Sequence, residues 1–436
     1  MADLTRRSFL GSAGALGVAA GQATAANDRI NVGMIAVGSR SQELLEAIKK
    51  VPGTEIVGIS DAYRGRLERA QERTGGRAKI YLNHEEMLAD PNIDAVTVGS
   101  PDHWHKDHVI AALEAGKDVY CEKPLTRTID EGAAIAAAVK KSGKLLQVGS
   151  QGISSNVQAR AREWVKAGKL GRVTMIRASY NRNTASGAWV YPIPPDASPR
   201  TVDWRMFLGS APEHPFDLER FFRWRCYQEY SGGIATDLFV HLTTTIHYVM
   251  NAAMPSHVVG RGSLYRWKES RDVPDTLNAI LEYPEGFTVN LSSTFNNQYD
   301  PAGSFEFLGT EGTLLLGWSK LTFIPERNFE ANGWITQAWP TELEQAYNES
   351  PEVKRESEAR GKVRGTERKV EEYKEVGASP TVKHMAKFFE SVRSRKPTVE
   401  GVEAAHRAAA CAHMVNESAR SDKLLKWDFK NDRQKV

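Results

Sequence analysis

The sequence predicts an α/β N-terminal domain with a parallel sheet, followed by an α+β domain with an open, mainly antiparallel sheet. Short apolar runs alternate with helical stretches in the first part, which is typical of a parallel sheet with helices on both faces. In the second part, residues 257–316 hold several alternating segments, and Gly286 separates two of them as in a hairpin. We place the two domains at residues 26–150 and 151–436.

Composition excludes several classes of protein. The 436 residues are 41% hydrophobic and 25% charged, which is ordinary for a globular protein of two to three domains. A formal net charge of +3 argues against a dedicated nucleic-acid binder. Cys121, Cys226 and Cys411 share no CxxC spacing, so neither a disulfide framework nor a cysteine-based zinc site is predicted.

The first 25 residues are predicted to be an export signal. A twin-arginine motif around Arg6 and Arg7 is followed by a small, weakly apolar run at residues 11–20 and an A-x-A cleavage site that ends at Ala25. The expectation is a substrate of the twin-arginine export machinery, periplasmic or otherwise exported. The run has too few large apolar side chains for stable insertion in a membrane.

The remaining elements follow in order along the chain. Strand-like runs lie at residues 30–37, 55–60, 95–98, 118–121 and 145–148. Helical stretches lie between them, near residues 41–50, 104–115 and 128–142. Residues 181–222 are rich in Pro, Gly and aromatic residues and are predicted to be a functional loop or an arm that reaches a neighbouring subunit. Residues 343–376 are dense in charge, which indicates a solvated helical or mobile excursion. Two closing helices are predicted at 379–394 and 400–420.

The turn after the first strand indicates a dinucleotide-binding, Rossmann-type domain. The pattern G-x-G-x-x-G falls on residues 36–41, where only the middle glycine is kept. The candidate contacts of this loop are Ala36, Val37, Gly38, Ser39 and Arg40. The two departures are Ala36 at the tight turn and Ser41 at the close helix–strand contact.

Asp61 strengthens the nucleotide prediction. It ends the second predicted strand, 23 residues after Gly38, where an acid can hold both ribose hydroxyls of NAD. The same carboxylate would repel a 2′-phosphate and so favours NAD, although Arg40 and Arg64 lie near enough in sequence to leave NADP possible. An α/β domain without a nucleotide is the alternative.

Two motifs carry residues suited to acid–base chemistry. Lys123 lies in Glu122-Lys123-Pro124, directly after a predicted strand, where open α/β sheets bind ligands. Asp237 and His241 are four residues apart on a predicted helix and would share one face. Lys and His are types whose pKa can lie near neutrality. No third ligand is spaced to make Asp237 and His241 a metal site, and none is predicted.

Together these motifs resemble the Gfo/Idh/MocA family of NAD(P)-dependent sugar and polyol oxidoreductases. The resemblance is carried by the glycine loop, Asp61, residues 100–105, residues 122–124 and residues 232–241. It implies that the loop with Ser100, Pro101 and His105 lies beside the nicotinamide, with Glu122 and Lys123 also at the cofactor. It further implies that Lys123 and His241 touch the reacting hydroxyl and that Asp237 binds or orients the sugar; which of Lys123 and His241 is the base stays open.

Residues 223–227 have two interpretations of equal weight. Arg225 and Tyr227 either belong to a core aromatic cluster with solvated arginines, or form a pocket wall that binds the sugar. The predicted open sheet and long arm also favour a homodimer or homotetramer.

The expected activity is that of an exported oxidoreductase of a sugar, sugar derivative or cyclic polyol. Because free NAD is scarce outside the cytoplasm, a tightly bound and recycled nucleotide is expected. Two alternatives stay open: an NAD-dependent, redox-neutral glycoside hydrolase that works by oxidation, elimination, addition and reduction, and a non-catalytic nucleotide- or sugar-binding protein.

Overall fold

The computed structural model describes residues 29–299, 304–326, 333–364 and 369–435. The predicted signal peptide, residues 1–25, lies outside the described residues. Within the described parts, no helix combines the length and apolar character needed to cross a membrane.

The N-terminal sheet has six parallel strands in the order β3-β2-β1-β4-β5-β6. Its strands are β1 (Ile30–Ile35), β2 (Thr54–Ser60), β3 (Lys79–Ile80), β4 (Ala95–Val98), β5 (Asp118–Cys121) and β6 (Leu146–Val148). The connecting helices are α1 (Ser39–Ile48), α2 (Arg64–Arg73), α3 (His84–Leu88), α4 (His105–Glu114) and α5 (Glu131–Ser142). Strands β4 and β5 are buried at every position, because helices cover both faces of the sheet. The prediction of a parallel α/β sheet is confirmed.

The C-terminal sheet has ten strands in the order β14-β13-β12-β11-β7-β10-β9-β8-β15-β16. The pairing is antiparallel except between β10 and β7. The strands are β7 (Val173–Ser179), β8 (His257–Ser263), β9 (Thr276–Tyr283), β10 (Phe287–Thr294), β11 (Phe305–Gly309), β12 (Gly312–Leu316), β13 (Lys320–Pro325), β14 (Glu371–Lys374), β15 (Leu425–Asp428) and β16 (Arg433–Lys435). This mainly antiparallel sheet agrees with the predicted fold class.

Helices cover one face of the second sheet. The remaining helices are α6 (Asn156–Lys166), α7 (Trp204–Leu208), α8 (Leu218–Phe222), α9 (Val240–Met250), α10 (Gly333–Thr336), α11 (Thr341–Glu349), α12 (Pro351–Arg364), α13 (Pro380–Ser394) and α14 (Val402–Ser421). Along β9, Leu277, Ala279 and Leu281 are buried toward these helices, whereas Ile280 and Glu282 are exposed on the other face. No described helix covers the other face of the sheet, on which Ile280 and Glu282 lie.

The chain end returns to the first sheet. Met385, Phe388 and Phe389 of α13 are fully buried in the same apolar cluster as Val32 and Leu44. Residues far beyond position 150 thus complete the core of the N-terminal sheet, which fixes the two sheets relative to each other.

The two segments predicted to be an arm and an excursion contain regular structure. Residues 343–376, expected as a helical or mobile excursion, form most of α11 and α12 and also β14, which pairs with β13 at the sheet edge. Residues 181–222 include the short helices α7 and α8. Short helices and edge strands lack a strong periodic signal, because few of their residues face a core.

Candidate active site

A cavity of about 440 Å³ lies at the carboxyl ends of the N-terminal strands, in the size range of small-molecule sites. It is closed on its other side by residues from the C-terminal part of the chain. Most of the predicted site residues line it: Ala36, Gly38, Ser39, Arg40, Asp61, Ser100, Pro101, Glu122, Lys123, Arg225, Asp237 and His241. Their roles stay predictions, but the fold brings them to one place.

The glycine turn fits a diphosphate. Ala36 has φ 62°, the left-handed conformation for which the first glycine of the fingerprint is normally used. Helix α1 begins after Gly38, and no side chain caps it, so its first N–H groups are available to an anion. Ser41 is buried because the facing residue, Gly99, has no Cβ to collide with its hydroxyl.

Asp61 is held rigidly at the end of β2. Its carboxylate accepts hydrogen bonds from the backbone N–H groups of Val37 (2.7 Å) and Tyr63 (2.8 Å), and Arg66 lies 3.5 Å away. This places an oriented acid where the ribose hydroxyls of NAD would lie.

The arginines expected near Asp61 lie elsewhere. Arg40 donates to Glu122 and to Glu43, each at 2.8 Å, and Arg64 pairs with Glu68 on the surface. The arginine that lies beside Asp61 is therefore Arg66, at 3.5 Å.

Lys123, Asp237 and Arg225 form a buried charge cluster. Lys123 Nζ donates to both the carbonyl oxygen and Oδ1 of Asp237, each at 2.8 Å. Arg225 Nε donates to the same Oδ1 at 3.1 Å. Burial opposes ionisation of Asp237, but Lys123 and Arg225 hold its pKa well below the usual range, so the carboxylate is ionised at neutral pH.

Asp237 and His241 reach the cavity through a helix irregularity. Residues Ala235–Phe239 form a π-helical turn that leads directly into α9, where His241 lies in the first turn. The expected spacing on a regular α-helix is therefore wrong in detail, although both side chains line the cavity. Single π turns of this kind are frequent at functional sites.

His241 is suited to accept a proton. Its ring stacks on Tyr180, with centroids 6.5 Å apart and planes inclined by 28°. Burial, followed by the charge of Lys123, lowers the pKa of His241 well below its usual range. The imidazole is thus neutral at pH 7, with a free lone pair on one nitrogen.

Three predicted site residues do not reach the cavity. The Val37 side chain is buried in the apolar core, although its N–H binds Asp61. The ring nitrogens of His105 lie 2.6 and 2.9 Å from the carbonyl oxygens of Pro124 and Ser100, so this side chain ties two loops together. Tyr227 is 8% exposed and packs in the core under Arg220, which corrects its assignment to the pocket wall.

Sequence reasoning missed other cavity residues. Tyr180 and Arg182 follow β7, and Tyr191 lies in the predicted arm. Trp224, from the segment 223–227 with the two interpretations of pocket wall and core, lines the cavity as well. The position of Tyr180 and Arg182 after a strand was a usable signal, since strand ends had already located Asp61 and Lys123.

Residues 196–209, which we call the strap, cross the nucleotide end of the cavity. The strap pairs with the chain after β2 through a β-bridge between Tyr63 and Val202. The N–H of Asp203 donates to the carbonyl oxygen of Ala62 at 2.7 Å. One end of the strap is thereby fixed beside Asp61.

The other end of the strap is fixed beside β4. Trp104 Nε1 donates to the carbonyl oxygen of Phe207 at 2.8 Å, and His103 Nε2 lies 2.9 Å from the same oxygen. Met206 and Phe207 line the cavity. The strap is thus anchored beside both β2 and β4 and borders the cavity between them.

Comparison with family models now decides the family. A model described as "Oxidoreductase family, NAD-binding Rossmann fold" matches residues 30–150, and one described as "GFO/IDH/MocA C-terminal domain" matches residues 198–315. The chain belongs to the GFO/IDH/MocA family. It is an NAD-binding oxidoreductase, as the sequence motifs indicated.

Curated relatives of this GFO/IDH/MocA protein include sugar and polyol enzymes. It is 27% identical to a 1,5-anhydro-D-fructose reductase of Ensifer adhaerens over 65% of this chain and 74% of the relative. It is also 27% identical to a scyllo-inositol 2-dehydrogenase (NAD(+)) of Bacillus subtilis over 62% of this chain and 68% of the relative.

Solved structures share the fold of this family member. A levoglucosan dehydrogenase in complex with NADH and levoglucosan superposes with a TM-score of 0.68 at 19% identity, covering 91% of this chain and 99% of that one. An aldose-aldose oxidoreductase from Caulobacter crescentus gives a TM-score of 0.66 at 16% identity, with 91% and 99% covered. At these identities the likeness establishes the fold.

Proposed function

We propose that this protein transfers hydride between NAD and a hydroxyl of a sugar, sugar derivative or cyclic polyol. The observation that carries the proposal is the meeting of Lys123, Asp237 and His241 with the glycine turn and Asp61 in one cavity. The substrates named for the curated relatives support a polyhydroxylated substrate.

The chain's own residues fit the nucleotide. The uncapped start of α1 would hold the diphosphate, Asp61 the adenosine ribose, and Pro101 and Glu122 the nicotinamide half. When bound, NAD supplies the hydride acceptor or donor.

His241 and Lys123 have different roles at the substrate hydroxyl. His241, as a neutral imidazole, takes the hydroxyl proton during oxidation and returns it during reduction. Lys123 donates a hydrogen bond to the same oxygen and stabilises its developing charge. Asp237 holds Lys123 through two hydrogen bonds and so fixes its direction.

We further propose that the nucleotide stays bound through the catalytic cycle. The strap, anchored at both β2 and β4, borders the nucleotide end of the cavity and would slow the release of a dinucleotide. A retained nucleotide suits oxidation of one sugar coupled to reduction of another, and it would also serve the redox-neutral hydrolytic cycle.

The test is to purify the protein without added nucleotide, denature it and identify released small molecules by mass. We expect about one NAD(H) per chain. When a panel of sugars is added, we expect the NADH absorbance to decrease or increase in wild type but not in Lys123→Met. Absence of nucleotide together with no binding on titration would refute the proposal. Cleavage of a glycoside without a change in NADH would select the hydrolytic alternative.

We also propose export through the twin-arginine machinery. The proposal is supported by the order of the Arg6-Arg7 motif, the apolar run and the cleavage site. Replacing both arginines by lysine should leave uncleaved, nucleotide-loaded protein in the cytoplasm, whereas wild type should be found outside it without residues 1–25. Equal distribution of both proteins would contradict export by this route.

A homodimer or homotetramer built on the open sheet face is proposed as well. Ile280 is 53% exposed and Val259 is 38% exposed on neighbouring strands of this face. Ile280→Lys should shift the mass measured by light scattering toward the monomer, whereas Leu82→Lys, at an exposed position outside this sheet, should not. A monomeric wild type at micromolar concentration would contradict the proposal.

A further inference from the structure

The two halves of the cavity differ in charge balance. At the nucleotide end each arginine has an acidic partner: Arg40 pairs with Glu122, and Arg66 with Asp61. At the other end Lys123 and Arg225 share the single carboxylate of Asp237. Arg182 lines this end as a third cation.

Arg182 has no carboxylate partner among the described residues. Its Nη1 donates to the carbonyl oxygen of Gly187 at 3.2 Å, and its guanidinium lies 4.9 Å from the ring centre of Tyr180. A neutral carbonyl and an aromatic face hold the side chain in place, and no carboxylate of the described residues forms an ion pair with it. The guanidinium nevertheless lies near enough to Asp237 and His241 to lower the pKa of both groups.

Arg225 is also only partly used. It gives Nε to Asp237 and lies 4.1 Å above the Trp224 ring, and within the described chain its guanidinium makes no other hydrogen bond. Tyr191, which lines the cavity, is within electrostatic range of both Arg225 and Arg182. Two guanidinium groups and a phenol hydroxyl therefore surround the same space.

Asp102 does not restore the balance. It is 3% exposed, behind Arg225, and burial raises its pKa to about 7, so it carries only part of a negative charge at neutral pH. Among the described residues, the sugar end thus holds the three cations Lys123, Arg182 and Arg225 against one fully ionised carboxylate, that of Asp237. Leaving a guanidinium without an anion in a partly desolvated site is unfavourable, which favours a ligand that brings one.

We propose that the substrate is a sugar or cyclitol with an anionic substituent, bound between Arg182, Arg225 and Tyr191. This inference rests on the proposed sugar oxidoreductase function and narrows its substrate class. The anion is the carboxylate of a sugar acid or a sulfate ester, both of which accept paired hydrogen bonds from guanidinium.

The test compares matched sugars that differ in the anionic group. Binding of D-glucose, D-glucuronate and glucose 6-sulfate, and of D-galactose and D-galacturonate, is measured by calorimetry on the full protein with its retained nucleotide. We expect at least about tenfold tighter binding of an anionic member than of its neutral counterpart, as one extra charge-assisted hydrogen bond provides. The preferred member identifies the anion as carboxylate or ester.

Variants assign the preference to Arg182. Arg182→Gln should remove most of the preference, and Arg182→Lys should keep part of it. Arg266→Gln is the matched control, because Arg266 supports the same loop through Asn183 but lies outside the cavity. Melting temperature and nucleotide content are measured on every variant, so that a loss of sugar binding caused by misfolding is recognised. If Arg182→Gln is misfolded, the preference of Arg182→Lys for the anionic sugar decides whether Arg182 carries it.

The outcomes separate the two proposals. Equal or tighter binding of the neutral sugars overturns the anionic class and leaves the sugar oxidoreductase intact. Binding of neither class by nucleotide-loaded protein overturns both. A preference that survives Arg182→Gln contradicts the assigned site.

Discussion

Ala36 carries backbone strain at the start of the nucleotide turn. A left-handed conformation costs an L-residue with a Cβ ~1 kcal/mol relative to glycine, and Ala36 has φ 62°. Ala36→Gly should therefore raise the free energy of unfolding by about 1 kcal/mol, measured by urea denaturation of nucleotide-free protein. Ala115→Gly, at φ −74° on the exposed end of α4, should instead lower it. Destabilisation by both changes would show that strain at Ala36 is compensated elsewhere.

His241 should dominate the acid side of the pH–rate profile. Protonation removes the lone pair that accepts the hydroxyl proton, so the rate falls as pH drops through the pKa of His241. Because burial and Lys123 lower that pKa, the fall should lie below pH 6.5. His241→Asn should reduce kcat about 100-fold or more and abolish this limb. His257→Asn, at the partly exposed His257 on β8, should leave the profile unchanged.

Residues in short motifs could be predicted, whereas residues placed by long-range folding could not. Asp61 and Lys123 follow buried strands, and the edge of a parallel sheet brings such positions together. Tyr191 reaches the cavity through the irregular path of residues 181–222, for which no periodic pattern exists. Tyr227 was misplaced because aromatic residues of a pocket wall and of a core have the same composition.

At the scale of elements, the strap makes nucleotide release dependent on a few contacts. Gly209 ends the strap at φ 54°, and a Cβ there would collide with the Trp104 ring that anchors it. Gly209→Ala should displace the strap and increase the dissociation rate of NAD at least about tenfold, because a main-chain anchor and its packing are lost. The rate is measured by exchange against labelled NAD.

Gly377→Ala is the control for backbone strain. Gly377 also has positive φ, at 80°, but an added Cβ would meet nothing within 4 Å. If Gly209→Ala leaves the dissociation rate of NAD unchanged and loses only as much stability as Gly377→Ala, the strap does not retain the nucleotide.

Helix and strand types were predictable where one face is buried, and local irregularities were not. Alternation along β9 and β10 follows their one-sided burial, so periodicity alone finds them. The π turn at Ala235–Phe239 shifts the helix phase within one turn, and spacing on an ideal helix cannot detect it. Strand β14 is specified by its partner β13 across the chain, with little burial of its own.

At the scale of the whole molecule, Glu400 lies where the two sheets meet. Its carbonyl oxygen accepts a hydrogen bond from the N–H of Val148 in the first sheet, and its carboxyl group accepts one from Thr244 of α9. The side chain is 2% exposed in total, and burial raises its pKa to about 7. The protein therefore holds an acid that is neutral at low pH and a buried anion at high pH.

The pH dependence of stability follows from that difference. The pKa of Glu400 in the folded protein exceeds its value of about 4.3 in the unfolded chain. The contribution of protonated Glu400 to the free energy of unfolding is therefore fully present below roughly pH 4.3 and is lost as pH rises through about 7. Glu400→Gln keeps a neutral group of the same shape at all pH values. The variant should match wild type near pH 4.5 and exceed its free energy of unfolding by up to about 3 kcal/mol at pH 8, measured by urea denaturation. Glu403→Gln, on the exposed side of α14, should give no such divergence from wild type. A constant difference in the free energy of unfolding between Glu400→Gln and wild type across this pH range would mean that Glu400 stays ionised in the folded protein.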